Sequence, residues 1–246
     1  MKIPPSISIV GTGNVAEVLG QRLIEAKLNI VSVIGRNENR ARQLSTKWGC
    51  EIESYENITG DLILVAVSDE ATTSIVDALN KNKLVAITSG SIELSEINHP
   101  NSGIFYPLQT FSKDRTSVLI QFPLLIESKT DEMIEILFFI GQKISRQVEI
   151  CNSEKRKKVH LSAVFMNNFS NHMIQLGQSL AVKNLVDPNL FNDLIQETFE
   201  KLKLLNPKES QTGPARRNDL ETIQKHLDQL DSPEKEIYIQ ITNSTF

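Results

Sequence analysis

The sequence predicts an α/β protein: a doubly wound parallel sheet in the N-terminal part, followed by an all-α C-terminal part. Three observations lead there. A strand-like run, Ser6 to Val10, ends in Gly11-Thr12-Gly13-Asn14-Val15-Ala16 and passes directly into helical spacing. From there to about residue 150, short apolar runs and helical stretches alternate. Beyond Cys151 only helical periodicity is found.

The elements follow in order. Ile30-Val31-Ser32-Val33-Ile34 is the second strand, and Asn37 to Trp48 its helix, with Ala41 and Leu44 facing inward. A short strand is expected at Cys50 to Ser54. Leu62 to Val67 is apolar on both faces, as a central parallel strand must be. A helix from Glu70 to Leu79 and a strand from Leu84 to Thr88 come next. Gly103 to Tyr106 and Val118 to Ile126 read as further strands, and Asp131 to Lys143 as a covering helix. Four helical stretches complete the chain: Glu154 to Lys183, Pro188 to Leu204, Leu220 to Leu230 and Pro233 to Asn243. The domains expected are 1–150, binding a dinucleotide, and 151–246, all-helical.

Composition bounds the function. Of 246 residues, 40% are hydrophobic and 23% charged, ample for a soluble globular core. The net charge of −4 gives no basic surface for nucleic acid or an anionic membrane. Cys50 and Cys151 lack metal-ligand or redox spacing and read as reduced thiols of a cytoplasmic protein. Met1-Lys2-Ile3-Pro4-Pro5 leads straight into a strand, so no signal peptide is expected.

The glycine loop carries the first chemistry. Gly11 lets the chain turn off the strand, Gly13 lets a pyrophosphate approach the backbone, and Ala16 lets the helix lie close to the sheet. The helix start offers free N–H groups and a positive dipole end. Gly11, Thr12, Gly13, Asn14 and Val15 are therefore the expected pyrophosphate cradle of a Rossmann-type site. NAD-binding proteins of this type place an acid at the end of the second strand. Here that place reads Gly35-Arg36-Asn37, with Arg40 one turn on and no carboxylate before Glu38. A guanidinium pairs with a 2′-phosphate through forked, charge-assisted hydrogen bonds, so Arg36 and Asn37 point to NADP.

Val159 to Val182 holds no Asp, Glu, Lys or Arg over 24 residues, yet is too polar to span a membrane. Helical spacing collects Leu161, Phe165, Phe169, Met173, Leu176 and Leu180 on one side, expected to be core, and His160, Asn167, Asn171 and Gln178 on the other. The neutral stripe needs hydrogen-bond partners, which a ligand cleft or a polar subunit interface would supply.

With these residues in view, the sequence resembles a bacterial family of Rossmann-like proteins whose C-terminal half is a helical domain of unknown function, grouped with NADP oxidoreductases. The resemblance covers nearly the whole chain. Its most specific segments are Ile9 to Ala16, Ala66-Val67-Ser68-Asp69, Thr88-Ser89-Gly90-Ser91, Phe105 to Phe111, Ala163 to Phe169 and Gln211 to Arg217. It implies a 6-phosphogluconate dehydrogenase-like C-terminal domain and kinship with the β-hydroxyacid dehydrogenases, pyrroline-5-carboxylate reductase and ketopantoate reductase. In that clan the helical domain closes the active site and often builds a homodimer. The resemblance also implies that Val67, Ser68 and Asp69 run beside the nicotinamide ribose, and that Ser89 and Gly90 hold substrate oxygens. The catalytic Lys of the β-hydroxyacid enzymes falls at Ala163 or Val164 here.

Without that Lys, His160 is the best proton donor by residue type, with His172 second. Asn167 and Asn171 would orient the substrate oxygen. Arg216 and Arg217, after the Gly213-Pro214 turn, suit a substrate carboxylate or cofactor phosphate. Gln109 is a candidate for the cleft. Lys155-Arg156-Lys157-Lys158 reads as a solvated face. The expected protein is a cytoplasmic, homodimeric NADP-dependent reductase of a small carboxylated 2-oxo compound, ketopantoate among the candidates. An imine reductase and an NADP-binding regulatory protein are the alternatives.

Overall fold

The computed structural model describes residues 4–112 and 121–245. The first strands are β1 (Ile7–Val10), β2 (Ile30–Ile34), β3 (Glu51–Ile52), β4 (Leu62–Val65) and β5 (Leu84–Ile87), with helices α1 (Asn14–Glu25), α2 (Glu38–Trp48) and α3 (Asp69–Ala78) between them. Then come β6 (Ser102–Pro107), β7 (Pro123–Ser128), α4 (Asp131–Ile144) and β8 (Gln147–Ile150). They form one eight-stranded sheet ordered β3-β2-β1-β4-β5-β6-β7-β8. Every neighbouring pair is parallel except β6 and β7.

Both faces of the central strands are buried, so each strand serves two cores. Ile7, Ile9, Leu62 and Leu64 join Leu19, Leu44, Trp48, Met133 and Leu137 on one face. Val10, Ile63, Val65, Val85 and Ile87 meet Val76, Leu79, Leu94 and Ile97 on the other. The period of two in each strand sends alternate side chains to opposite faces. Ser8 and Ser32 interrupt the apolar run but satisfy each other at 2.7 Å, and the Gly60 amide donates to Ser8 Oγ at 3.1 Å.

The remainder is helical: α5 (Ser153–Ala163), α6 (Ser170–Lys183), α7 (Asn192–Leu204), α8 (Pro207–Ser210), α9 (Leu220–Leu227) and α10 (Glu234–Thr245). Compactness divides the chain into Met1–Asn167 and Asn168–Phe246. Among the described residues, no helix is long and apolar enough to cross a membrane.

Four readings of the sequence are corrected here. The edge strand β8 was not foreseen, because four residues of alternating polarity carry almost no periodic signal. The strand expected from Val118 begins at Pro123; residues 118–120 lie outside the described residues. The helix expected to run unbroken from Glu154 to Lys183 is interrupted by a π-helical segment, Val164–Phe169. Finally, the apolar stripe is not core: Leu161 is 59% exposed, and Phe165, Phe169 and Met173 are exposed as well. In the Asn168–Phe246 unit, Ala181, Ile223 and Thr242 are the buried side chains among the described residues. So small a core cannot cover so long a stripe.

The run Lys155 to Lys158 also departs from a uniformly solvated face. Lys155, Lys157 and Lys158 are exposed, paired with Glu149, Glu93 and Glu154. Arg156 is fully buried. Its guanidinium donates to the Glu127 carboxylate, to the Ile92 carbonyl and, at 3.2 Å, to Ser153 Oγ. Glu127 in turn accepts from the Ser153 amide at 2.9 Å and hydroxyl at 2.7 Å. This cluster ties the start of α5 to β7. Helical position alone could not separate the inward Arg from its outward neighbours.

Candidate dinucleotide site

A cleft of about 1080 Å³ opens at the C-terminal ends of the parallel strands, where open α/β sheets bind ligands. Its floor is Gly11 to Val15, following β1. Gly11 has φ +128°, and a β-carbon there would stand 2.1 Å from the Ala66 carbonyl oxygen. Only glycine fits. At Gly13 a β-carbon would meet no protein atom within 4 Å, so that backbone faces open space. No side chain caps the start of α1, which leaves its first N–H groups for an anion. Asn14 Nδ2 donates to the Phe111 carbonyl at 2.9 Å, so its side chain braces the loop while its amide remains at the helix start.

One wall is the loop after β2: Gly35, Arg36, Asn37, Glu38 and Asn39. Asn37 caps α2 by accepting from the Arg40 amide at 3.0 Å. Arg40 is engaged elsewhere, donating to buried Glu17, which also pairs with Lys47 at 3.1 Å. Arg36 makes no ion pair among the described residues and stays exposed on the cleft wall. The opposite wall holds Ala66, Val67, Ser68, Ala71, Ile75 and Thr88, with Tyr55 and Phe111 also lining the space. These residues fit a dinucleotide: phosphates on the bare loop, one cation at the β2 end, and mostly small side chains along the other arm.

The other expected residues lie apart from this lining. Asp69 opens α3 and accepts from Ser91 Oγ. Ser89 is buried, its hydroxyl accepting from the amides of Ser91 and Ile92, both at 3.1 Å. Gln109 is spent locally, donating to the Gln121 carbonyl at 3.1 Å and accepting from the Thr110 amide at 2.9 Å. His160 is half-buried near the end of α5, and Asn167 lies in the π segment. Asn171 lies in the first turn of α6, while Arg216 and Arg217 follow the Gly213 turn; all three are exposed and belong to the Asn168–Phe246 unit.

Tyr106 was missed as a functional candidate. Its hydroxyl lies 3.0 Å from His160 Nδ1, with the rings edge to face at 5.9 Å and 70°. Burial raises the phenol above its ordinary pKa; the Asp69 carboxylate adds to this and the Arg156 guanidinium opposes it. The sequence offered Tyr106 only as the last residue of a strand, within the Phe105 to Phe111 segment of the resemblance.

Comparison with known proteins agrees with this geometry. Residues 122–245 match a domain of unknown function, DUF2520. Residues 6–89 match a family described as NADP oxidoreductase, coenzyme F420-dependent. A Bacteroides fragilis protein provisionally described as an NADP oxidoreductase is 34% identical, with a TM-score of 0.88 over 98% of each chain. A Thermotoga maritima protein is 20% identical, with a TM-score of 0.75 over 97% of this chain and 96% of its own. A Streptococcus pyogenes pyrroline-5-carboxylate reductase shares the fold at 11% identity, with a TM-score of 0.63 over 98% of this chain and 96% of its own. The chain spans about half, 51%, of the length of the curated relative it matches, a Listeria monocytogenes glutamyl-tRNA reductase, at 19% identity over 84% of this chain. The family and structure matches support an NAD(P)-binding fold of oxidoreductase type followed by a largely helical region.

Proposed function

Because the chain belongs to the family defined by the domain of unknown function DUF2520, we propose that it is an NADP-dependent reductase of a small carboxylated 2-oxo compound, with ketopantoate a candidate substrate. The observation that carries the cofactor choice is Arg36, exposed on the cleft wall, without an ion pair among the described residues and with no carboxylate before it on the β2 loop. Gly11 to Val15 hold the pyrophosphate, Arg36 and Asn37 the 2′-phosphate, and Val67 and Ser68 the nicotinamide ribose. The bound dinucleotide supplies a hydride to the carbonyl carbon. The chain's own work is to fix the dinucleotide, to hold the substrate oxygens near Ser89 and Gly90, and to provide a proton.

The expected result for Arg36→Glu is a loss of about 10- to 100-fold in NADPH affinity, the worth of one or two charge-assisted hydrogen bonds. NADH affinity should move less than threefold. Nucleotide fluorescence titration of wild type and variant measures both. Equal losses for the two nucleotides would remove the 2′-phosphate from Arg36. The shared fold with pyrroline-5-carboxylate reductase makes cyclic imines the second substrate class to test.

The partner we assign is a second copy of the chain, docked through the helical unit. α7 has no buried residue, although Leu194, Phe199 and Leu202 on it are exposed apolar side chains, joined in the same unit by Leu190 and Leu204 at 72% and 86% exposure. Apolar surface on this scale marks an interface. Sedimentation equilibrium should give a dimer for wild type and a monomer for Leu194→Glu. A wild-type monomer at micromolar concentration would end this assignment.

A further inference from the structure

Three segments distant in sequence meet at Tyr106: the end of β6, the Thr88-Ser89-Gly90 turn after β5, and α5. The last parallel pairing of β5 with β6 is Ile87 with Ile104. Thr88 and Tyr106 thus leave the same edge of the sheet on neighbouring strands, and Thr88 lines the cleft. Gly90 keeps the group together. A β-carbon there would lie 2.7 Å from His160 Nδ1 and 2.7 Å from Tyr106 Cζ. The bare backbone lets imidazole and phenol close to hydrogen-bond distance beside it.

A dinucleotide with its pyrophosphate on Gly11 to Val15 and its adenosine end at the β2 loop runs its other end past β4 and β5. The Tyr106–His160 pair stands one strand further, with Tyr106 on β6 beyond Thr88 of the cleft lining. Tyr106 keeps its proton across the neutral range, since burial and Asp69 both favour the neutral phenol. His160 Nδ1 lies within hydrogen-bond distance of Tyr106 Oη, placed to hand a proton to it.

We propose that Tyr106 is the proton donor of the reduction and that His160 is the positioning residue that resupplies it. This rests on the reductase reading above. As the hydride bonds to the carbonyl carbon, the C=O π pair moves onto oxygen. The phenolic O–H bond breaks toward that oxygen. His160 hands its Nδ1 proton to Tyr106 Oη while solvent supplies one at Nε2, so the phenol is restored. A hydroxyl product remains, and the imidazole is left as its other tautomer. The charged groups acting on Tyr106 are Asp69 of α3 and Arg156 of α5.

The test uses the full chain with Tyr106→Phe and His160→Gln. NADPH fluorescence titration comes first, followed by NADPH oxidation with glyoxylate, pyruvate, ketopantoate and 1-pyrroline. Tyr106→Phe should keep NADPH affinity within twofold and lose on the order of 10²- to 10³-fold in kcat, the usual worth of a general acid. His160→Gln should lose less, and the loss should fall on kcat with KM and NADPH affinity kept within twofold. Nitrogen NMR of the substrate-free protein should show a His160 Nδ1 hydrogen bond in wild type that Tyr106→Phe lacks. Turnover by Tyr106→Phe within threefold of wild type, with NADPH still bound, would overturn the donor and leave the cleft reading intact. NADPH bound by wild type without turnover of any carbonyl or imine would overturn the donor together with the reductase reading. No NADPH binding at all would overturn the cleft reading, and this proposal with it.

Discussion

Gly13→Ala is expected to leave the protein folded and to cost on the order of 100-fold in NADPH affinity, about 2.8 kcal/mol. The added methyl would touch no protein atom within 4 Å, so nothing in the fold opposes it. It would instead occupy the space over the bare helix start, where phosphate oxygens need to meet backbone N–H groups. Gly11→Ala provides the contrast. Its methyl would collide with the Ala66 carbonyl, and its backbone sits at φ +128°. That variant should lose binding and also about 1–3 kcal/mol of stability. Urea denaturation and NADPH titration on both variants separate the two effects. If Gly13→Ala binds NADPH as wild type does, the loop is a turn and not a phosphate cradle.

The second large effect is on stability. Glu127→Ala should destabilise the protein by about 3–5 kcal/mol, because it leaves the fully buried Arg156 guanidinium without its carboxylate. The Ile92 carbonyl and the Ser153 hydroxyl remain as acceptors but carry no full charge. Replacing both partners at once, Glu127→Leu with Arg156→Met, should recover most of that loss, since no charge is then left buried. Urea midpoints of the three proteins decide it. A single variant within 1 kcal/mol of wild type would mean that water reaches Arg156.

Much of the sheet was legible because a strand buried on both faces must be apolar on both. Leu62 to Val65 and Ile30 to Ile34 announce themselves in that way, and the Gly-x-Gly loop marks the join of β1 to α1. What escaped the sequence depends on tertiary partners. Arg156 looks like its lysine neighbours until Glu127, 29 residues away, is brought beneath it. Tyr106 gains its meaning from His160, 54 residues away, and from the absence of a side chain at Gly90. Arg40 and Arg36 are equivalent candidates on paper; buried Glu17 takes Arg40 out of the comparison. The apolar stripe was legible as a stripe. Whether it is covered depends on tertiary partners, which periodicity cannot report.

The π-helical stretch has a consequence for azimuth. Regular α-helical winding returns a side chain to nearly the same bearing after seven residues, which is why His160 and Asn167 were assigned to one face. A stretch bonded i to i+5 takes more residues per revolution. Every side chain inside Val164–Phe169 therefore lags the bearing that an even winding would give it. The imidazole keeps the heading set by α5, and the amide of Asn167 falls behind it. Two groups that a helical wheel superimposes are thereby aimed in different directions by the backbone itself.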